Sequence, residues 1–558
     1  MSASLGPIAG ADEWAFTAPT FASPWNTGVV APDVSVLRNS GVRSDPGLLP
    51  VTELVYEGDL VPAFGEDFFD RVHYSWLSQD LGNVISLQTV TLSVWNAFRR
   101  SENFIAFTPT NDEGITVSGV PALPSSIPAL RELTLTFEVD TQGPPTIDAS
   151  YAFDWQTVDA TVSITGSRIT AWSFAPDWTN GIVERLQWQT DVLQSFDMRE
   201  QRRALRIAPR KTFEFDAFFS GAERRYAEAS IWGWGARVWA LPIWPDGQEL
   251  AASLPAGSTV ISIDTTTRDF QAGGLAMILG DAFNFETLEI ESVASDSITL
   301  PRPTARTWPA GTRVYPAREA RLDASVSLPR WTGDAAGSRL TFRLVEPVDN
   351  AASGGATTYR GYAVLTREPN WIAEPSVELQ RKLAEIDNLT GVRYFDDESG
   401  LPSPVQRMHW TLSSRSEIES VRQLLYALRG RQGAVWVPTW TNDLAVVATI
   451  DMSATAIDVD YCAYTKQYAV ATGRRDIRIA LASGAVLYRR ITAASELSAA
   501  TERLTIDTAL GVTVQPSDIV TVSFISLMRL EADDIDIAYW TGSIAEVAPV
   551  MRGFQHDV

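Results

Sequence analysis

The sequence predicts a mainly β chain with a few helices, built from several domains. Two observations carry that prediction. The first is a long internal repeat: the stretch Phe213–Trp244, FEFDAFFSGAERRYAEASIWGWGARVWALPIW, is restated as Trp410–Trp440, WTLSSRSEIESVRQLLYALRGRQGAVWVPTW. The second is the period-two spacing of apolar residues through much of the remainder, the mark of strands with one buried face.

Each copy of the repeat opens on alternating apolar residues, Phe213 and Phe215 or Trp410 and Leu412. The runs Ala222–Trp232 and Glu417–Leu428 predict helices, followed by Gly233 and Gly235 or by Gly430 and Gly433. An aromatic strand with an internal proline closes each copy: Trp239, Pro242 and Trp244, then Trp436, Pro438 and Trp440. Proline offers no amide to a ladder, so each strand is expected at a sheet edge or a bend. The likeness extends upstream, where Pro176-Asp177-Trp178 answers Pro369-Asn370-Trp371, and downstream, where Arg321-Leu322 answers Arg529-Leu530.

Two tandem homologous α+β modules follow from this, residues 169–350 and 355–550, joined near the glycine-rich Asp349–Gly361. Short strands and regularly spaced turns predict a small β-barrel-like subdomain in each, over 258–321 and 455–529. Trp178, Trp239, Pro242, Trp244, Trp371, Trp436, Pro438 and Trp440 form the expected structural core of the repeat. Packing between helix and sheet is the favoured role of these tryptophans, with exposed sugar platforms at Trp244 and Trp440 as the alternative.

Ahead of the repeat, Val90, Leu92 and Val94 alternate, as do Leu133 to Val139 and Ala149 to Trp155. Residues 81–168 are therefore expected as a small immunoglobulin-like β-sandwich of antiparallel strands, without the disulfide of antibody domains. Residues 1–80, rich in proline, glycine and aromatics, predict an extended docking arm. In it Trp14, Phe16, Phe21 and Trp25 are the candidate partner-docking residues, since exposed aromatics on an irregular segment need a surface to cover them. The closing MRGFQHDV is expected to be peripheral.

Composition narrows the function classes. A chain of 558 residues exceeds what one core sustains. Its net charge of −23 argues against coating nucleic acid or an anionic membrane. No run of 18 apolar residues predicts a membrane span. The opening residues lack a basic stretch followed by an apolar one, so folding in a reducing cytoplasm is expected. Cys462, the single cysteine, is expected to be a small buried apolar side chain. The 19 tryptophans suit broad β cores, protein contacts or sugar binding.

Catalytic material is sparse. His73, His409 and His556 are scattered and read as surface or partly packed residues. One cysteine and three histidines assemble no Cys/His zinc site, and neither a nucleophile elbow nor a phosphate loop is present. Gly233-Trp234-Gly235 precedes a strand instead of opening a helix, which sets aside a dinucleotide fingerprint. Two acidic clusters remain. Asp396, Asp397 and Glu398 read as a turn; in the second cluster, Glu531, Asp533, Asp534 and Asp536, the alternation of Asp534 and Asp536 with isoleucines reads as the wet face of a strand. No catalytic, cofactor-binding or metal residue is assigned, and no enzyme activity is expected.

LYALRGRQGAVWVPTWTNDLAV resembles segments of minor tail and baseplate proteins of tailed bacteriophages, in which a helix crossing a sheet leads through a basic-glycine turn into a Trp/Pro strand. VTLSVWNAFRRSENF, with GITVSG and LTLTFEVDTQGPPTIDASYAFDW, is similar to an immunoglobulin-like segment of phage tail-tip proteins. The resemblance implies a structural virion protein of the distal tail, folded in the host cytoplasm. Such a protein assembles into a ring that links tail tube, hub and fibres. A homo-oligomer is expected, a trimer favoured and a hexamer possible, because three copies of a two-module chain present six similar modules. The alternative is a carbohydrate-binding or polysaccharide-degrading β-protein using exposed tryptophans and paired carboxylates. A third reading, an extracellular adhesin, is disfavoured by the absence of a secretory signal.

Overall fold

A computed structural model describes residues 68–556, apart from 85, 86, 141, 142, 145, 348, 351, 356 and 468. Trp14, Phe16, Phe21 and Trp25 lie outside the described residues, as does the larger part of the expected arm. Strands dominate and helices are few. The chain divides into two compact units, Met1–Ile169 and Thr170–Val558.

In the first unit the alternating apolar residues build two sheets. The strands are β1 (Val72–Tyr74), β2 (Ser78–Val84), β3 (Gln88–Asn96), β4 (Glu102–Thr110), β5 (Ile115–Ser118), β6 (Ser125–Ile127), β7 (Glu132–Val139), β8 (Thr146–Trp155) and β9 (Ala160–Ala171). One sheet runs β1-β3-β7-β5 and the other β9-β8-β4-β6. Leu92, Leu135 and Phe137 from the first meet Tyr151, Phe153, Val162 and Ile164 from the second in one core. The result is a sandwich, as the period-two spacing requires. Two details differ from expectation. Residues 72–80 belong to the sandwich and not to an arm, because β1 pairs β3. And β2 joins β9 in parallel, so the pairing is not wholly antiparallel.

The second unit contains both repeats. Its elements are β10 (Asp177–Gln187), β11 (Thr190–Gln194), β12 (Glu200–Ala204), β13 (Arg210–Ser220), α1 (Gly221–Trp234), β14 (Val238–Pro242), β15 (Arg313–Leu322) and β16 (Ala335–Leu344). The second pass gives β17 (Ser376–Gln380), β18 (Leu383–Ile386), β19 (Tyr394–Asp397), β20 (Ser403–Arg407), β21 (Trp410–Leu412), α2 (Arg415–Leu428), β22 (Val435–Pro438), β23 (Ile519–Leu530), β24 (Asp534–Tyr539), β25 (Ala545–Val547) and β26 (Val550–Gly553). Strand, hairpin, strand, helix, proline strand, long strand and return strand recur in the same order.

The ladders match as well. β13 pairs β16 with Phe219 opposite Ala336, and β20–β21 pairs β26–β25 with Leu412 opposite Ala545. β14 pairs β15, placing Trp239 opposite Ala320 and Pro242 at the ladder's end opposite Ala317. β22 pairs β23, placing Trp436 opposite Leu527 and Pro438 at the ladder's end opposite Ile525. Each proline is the last residue of its strand, and one further bond joins the same partner: the Ile243 amide donates to the Pro316 carbonyl at 2.8 Å and the Thr439 amide to the Phe524 carbonyl at 2.9 Å.

Helix α2 forms because Ile418, Val421, Leu425 and Tyr426 recur at helical spacing and are buried. Ser414 caps it by accepting from the Glu417 amide at 3.3 Å, while Glu417 accepts from the Ser413 amide at 2.8 Å. Helix α1 buries only Ala227 and Ser230 and leaves Trp232 in solvent.

Both expected modules, 169–350 and 355–550, fall inside this unit, and one apolar core runs through both. It contains Phe215, Trp239, Trp244 and Phe342 from the first and Trp410, Leu425, Trp440 and Ile537 from the second. Each repeat also carries a satellite core between its proline strand and its long strand. Ile261, Ile278, Ile298 and Trp308 form the first, and Val459, Ile479, Leu504 and Phe524 the second. Neither is a barrel: among the described residues no sheet closes on itself. Within MRGFQHDV, residues 551–553 are not peripheral: they belong to β26, which pairs both β20 and β23 and buries Met551.

Candidate functional site

The tryptophans settle first. Trp239 and Trp436 are wholly buried, and Trp244 and Trp440 are 3% and 6% exposed. The last two therefore present no face on which a sugar ring could stack. Trp436 donates its indole N–H to the Tyr359 carbonyl at 2.8 Å. Trp440 takes a positive φ of 63°, with the Arg478 guanidinium 5.0 Å from its ring centroid. Pro242 and Pro438 are buried, Trp178 is half-buried against the main core, and Trp371 is exposed.

The acidic clusters are spread through ion pairs. Asp397 pairs with Arg381, and Glu398 with Lys382 at 3.1 Å. Asp396 and Asp397 close an exposed strand, Tyr394–Asp397, instead of forming the expected turn, and of the three only Glu398 lies in the turn that follows. Asp534 and Asp536 do lie on the wet face of β24, and Asp536 holds Arg185 at 2.8 Å. Cys462 is exposed, not buried. Its backbone amide is drawn to the Glu502 carboxylate at 3.1 Å, at the start of a short helix, Tyr464–Gln467, which leaves the thiol at the surface. His73 is buried instead of superficial, stacked 5.6 Å from Trp95 with Nε2 2.8 Å from the Phe68 carbonyl. Among the described residues no group of three or more His, Cys, Asp or Glu is placed to hold a metal ion.

The site with the most concentrated chemistry is the seam between the two repeats. β24 of the second repeat pairs antiparallel with β10 of the first, with Glu184 opposite Ile537 and Arg185 opposite Asp536. Behind this ladder lies a buried ionic network. Arg422 of α2 reaches Glu184 at 3.1 Å and donates to the Tyr539 hydroxyl at 2.8 Å, and that hydroxyl donates to Glu184 at 2.7 Å. Lys211 stands 3.5 Å from Glu184 and 4.0 Å from Asp269. Arg318 closes on Asp269 at 2.6 Å.

The proline strand of the first repeat leads directly into this network. After Trp244 the chain turns and presents Asp246, fully buried, which accepts from Arg415 and from the Asp269 amide at 2.9 Å. Arg415, the first residue of α2, also donates to the Gly542 carbonyl at 3.0 Å. Burial pushes the Glu184 carboxyl up, but Arg422, Lys211 and the Tyr539 hydrogen bond together outweigh it and hold the carboxyl down at about 2. Burial drives the Tyr539 hydroxyl well above its ordinary range, so it remains a donor. An ionic network of this kind costs desolvation, and removing one partner leaves a buried charge uncompensated.

Beside it the β11–β12 hairpin folds onto the second repeat. Arg529 of β23 donates to both oxygens of Glu200 at 2.7 Å, with the Glu200 side chain wholly buried. Asp533 accepts from the Thr190 amide at 2.8 Å and the Arg431 amide at 2.9 Å. Gly430 permits this approach. Its φ is +66°, and a Cβ there would meet Asp533 Oδ1 at 2.4 Å and Trp188 Cβ at 2.9 Å.

Gly430, Arg529 and Asp533 stand among the residues marked in the sequence, whereas Glu184, Arg422, Lys211 and Glu200 do not, although two of these carried a signal. Glu184 falls between Ile182 and Leu186 on the buried parity of β10. Arg422 falls between Ile418 and Leu425 on the apolar stripe of α2. A charge on the apolar phase of two elements marks a buried ion pair.

Comparison with known protein families finds no family model that matches the chain, and comparison with curated proteins finds none that matches it.

Proposed function

We propose that the chain is a structural virion protein of the distal bacteriophage tail, a baseplate or tail-tip component. In this reading it self-assembles into a ring, a trimer in preference to a hexamer, that links tail tube, hub and fibres. The observation that carries the reading is the head-to-tail seam. Two like units are joined edge to edge through strand pairing and a buried ionic network. Joining of this sort propagates from unit to unit and either closes into a ring or extends into a filament. A trimer of such chains sets six similar modules about one axis, which suits a hexameric tube. The resemblance of the Trp/Pro segments and the sandwich segments to phage tail proteins supplies the setting.

The test is a mass measurement on the purified chain combined with negative-stain imaging, followed by antibody labelling of intact particles. A three-fold ring, and label at the distal tail end, are the expected results. Six copies per ring would count against the pseudo-sixfold trimer, and label absent from the tail would overturn the assignment.

A further inference from the structure

Each repeat carries both halves of the seam, yet only one half of each is used. The surface that receives a strand in the first repeat is the outer edge of β10, with the β11–β12 hairpin beside it. The same surface in the second repeat is the outer edge of β17 with the β18–β19 hairpin, and β17 ends its sheet with no strand beyond it among the described residues. Leu186 of β10, beside β24, is wholly buried in the main core, whereas Leu379, its counterpart in β17, is 56% exposed. The β18–β19 hairpin leaves Leu383, Ile386, Leu389, Tyr394 and Phe395 in solvent, a larger set than Leu193 and Phe196 on the β11–β12 hairpin.

The inserting half also recurs. RLEADDIDIAYWTG, from Arg529, contains β24, and RLDASVSLPRWTG, from Arg321, is its counterpart in the first repeat. The two end on the same turn. The Trp540 amide donates to the Ile544 carbonyl at 3.0 Å, as the Trp331 amide donates to the Ala335 carbonyl at 3.0 Å. Val326 and Leu328 therefore stand where Ile535 and Ile537 stand.

Residues 325–330 run antiparallel beside β16 as β24 runs beside β25: the Gly337 amide donates to the Pro329 carbonyl at 3.1 Å, and Ser338 Oγ to the Ser327 carbonyl at 2.8 Å. Residues 327 and 329 thus turn their backbone groups toward β16, and 328 and 330 turn theirs outward. Pro329 removes an amide on the inner side only and leaves the outer edge able to pair.

We propose that the outer edge of β17 and its hairpin receive residues 325–330 of a second copy of this chain, in the register that β24 takes on β10. The occupant is a second copy because the chain itself displays the fit once and carries the unused insert and the unused receiver together. An exposed edge strand flanked by exposed apolar side chains is otherwise an aggregation template. The buried ions are not repeated there. Arg393 stands where Glu200 does, Arg330 where Tyr539 does, and Arg330 reaches Glu228 of its own helix at 3.3 Å. The contact between copies is accordingly an apolar, strand-paired joint, separable from the ionic seam inside each chain. This inference rests on the self-assembling part of the reading above.

In the register of β24 on β10, Ser327 of one copy faces Glu378 of the next, the pair that answers Asp536 and Arg185. Both are exposed. The test is the full chain carrying Cys462→Ser, Ser327→Cys and Glu378→Cys, mildly oxidised and run without reductant. Its mass is measured in parallel, with each single-cysteine variant as control. Covalent oligomers from the double variant are the expected result, with dimers only when the two single variants are mixed. An oligomer that does not cross-link overturns this interface and leaves self-assembly standing. A chain that stays monomeric at every attainable concentration overturns both. A monomer in which the thiol introduced by Glu378→Cys resists labelling shows the edge already covered and also overturns the proposal.

Discussion

Arg529 donates to both carboxylate oxygens of Glu200 at 2.7 Å, while Arg321, the same residue of the other repeat, lies exposed at the surface. One arginine position, duplicated, thus has two environments, and the difference marks the seam. Removing the acid leaves a buried guanidinium unpaired. Glu200→Ala should cost about 3–5 kcal/mol in urea unfolding. It should also expose the β11–β12 hairpin to protease. The paired replacement Glu200→Leu with Arg529→Met should recover most of the loss, since two apolar groups leave no orphan charge. If Arg321→Ala destabilised as much, the asymmetry would be wrong.

Acid should loosen the ionic seam in a defined window. Glu184 is held down at about 2 against an ordinary 4.5, so its contribution is complete above 4.5 and is lost as the pH falls toward 2. The shift is equivalent to about 3 kcal/mol. Thermal unfolding of the wild type should fall across that window, and Glu184→Gln should flatten the dependence while lowering stability at neutral pH. An unchanged acid slope in Glu184→Gln would remove Glu184 from the account.

The buried and exposed tryptophans should separate cleanly. Trp244 sits in the main core and Trp232 is 94% exposed. Trp244→Ala should cost about 3–5 kcal/mol, and Trp232→Ala should stay within about 0.5 kcal/mol. Equal effects on the denaturation midpoint would contradict the burial.

Gly430→Ala should destabilise. The left-handed backbone costs a side chain about 1–2 kcal/mol, and the new Cβ meets Asp533 Oδ1 at 2.4 Å besides. Gly257→Ala, also at positive φ but with open space around it, serves as the control for backbone strain alone. The excess at Gly430 reads the closeness of the seam.

Cys462 should react with a maleimide in the folded protein, because it is exposed. Partial desolvation of the sulfur and the nearby Glu502 carboxylate raise its thiol, so the rate should be slower than that of a free cysteine and should climb with pH. Reaction only after denaturation would return the residue to the interior.

The sequence by itself determined the parts. Period-two spacing settled the faces of β3, β7 and β8 because one side of a strand must leave water. Helical spacing of Ile418, Val421 and Leu425 settled α2, and the prolines at 242 and 438 marked the last residue of their strands. The order of elements in each repeat was legible because the chain states it twice. Only the tertiary structure decided how the copies differ. Which Trp faces solvent, which arginine finds a buried acid, and which edge strand gains a neighbour depend on residues far apart in sequence: Glu184 meets Tyr539, and Glu200 meets Arg529. Local periodicity records which residues leave water and carries no record of which distant partner replaces it. That is why the repeat could be read from the sequence and the seam could not.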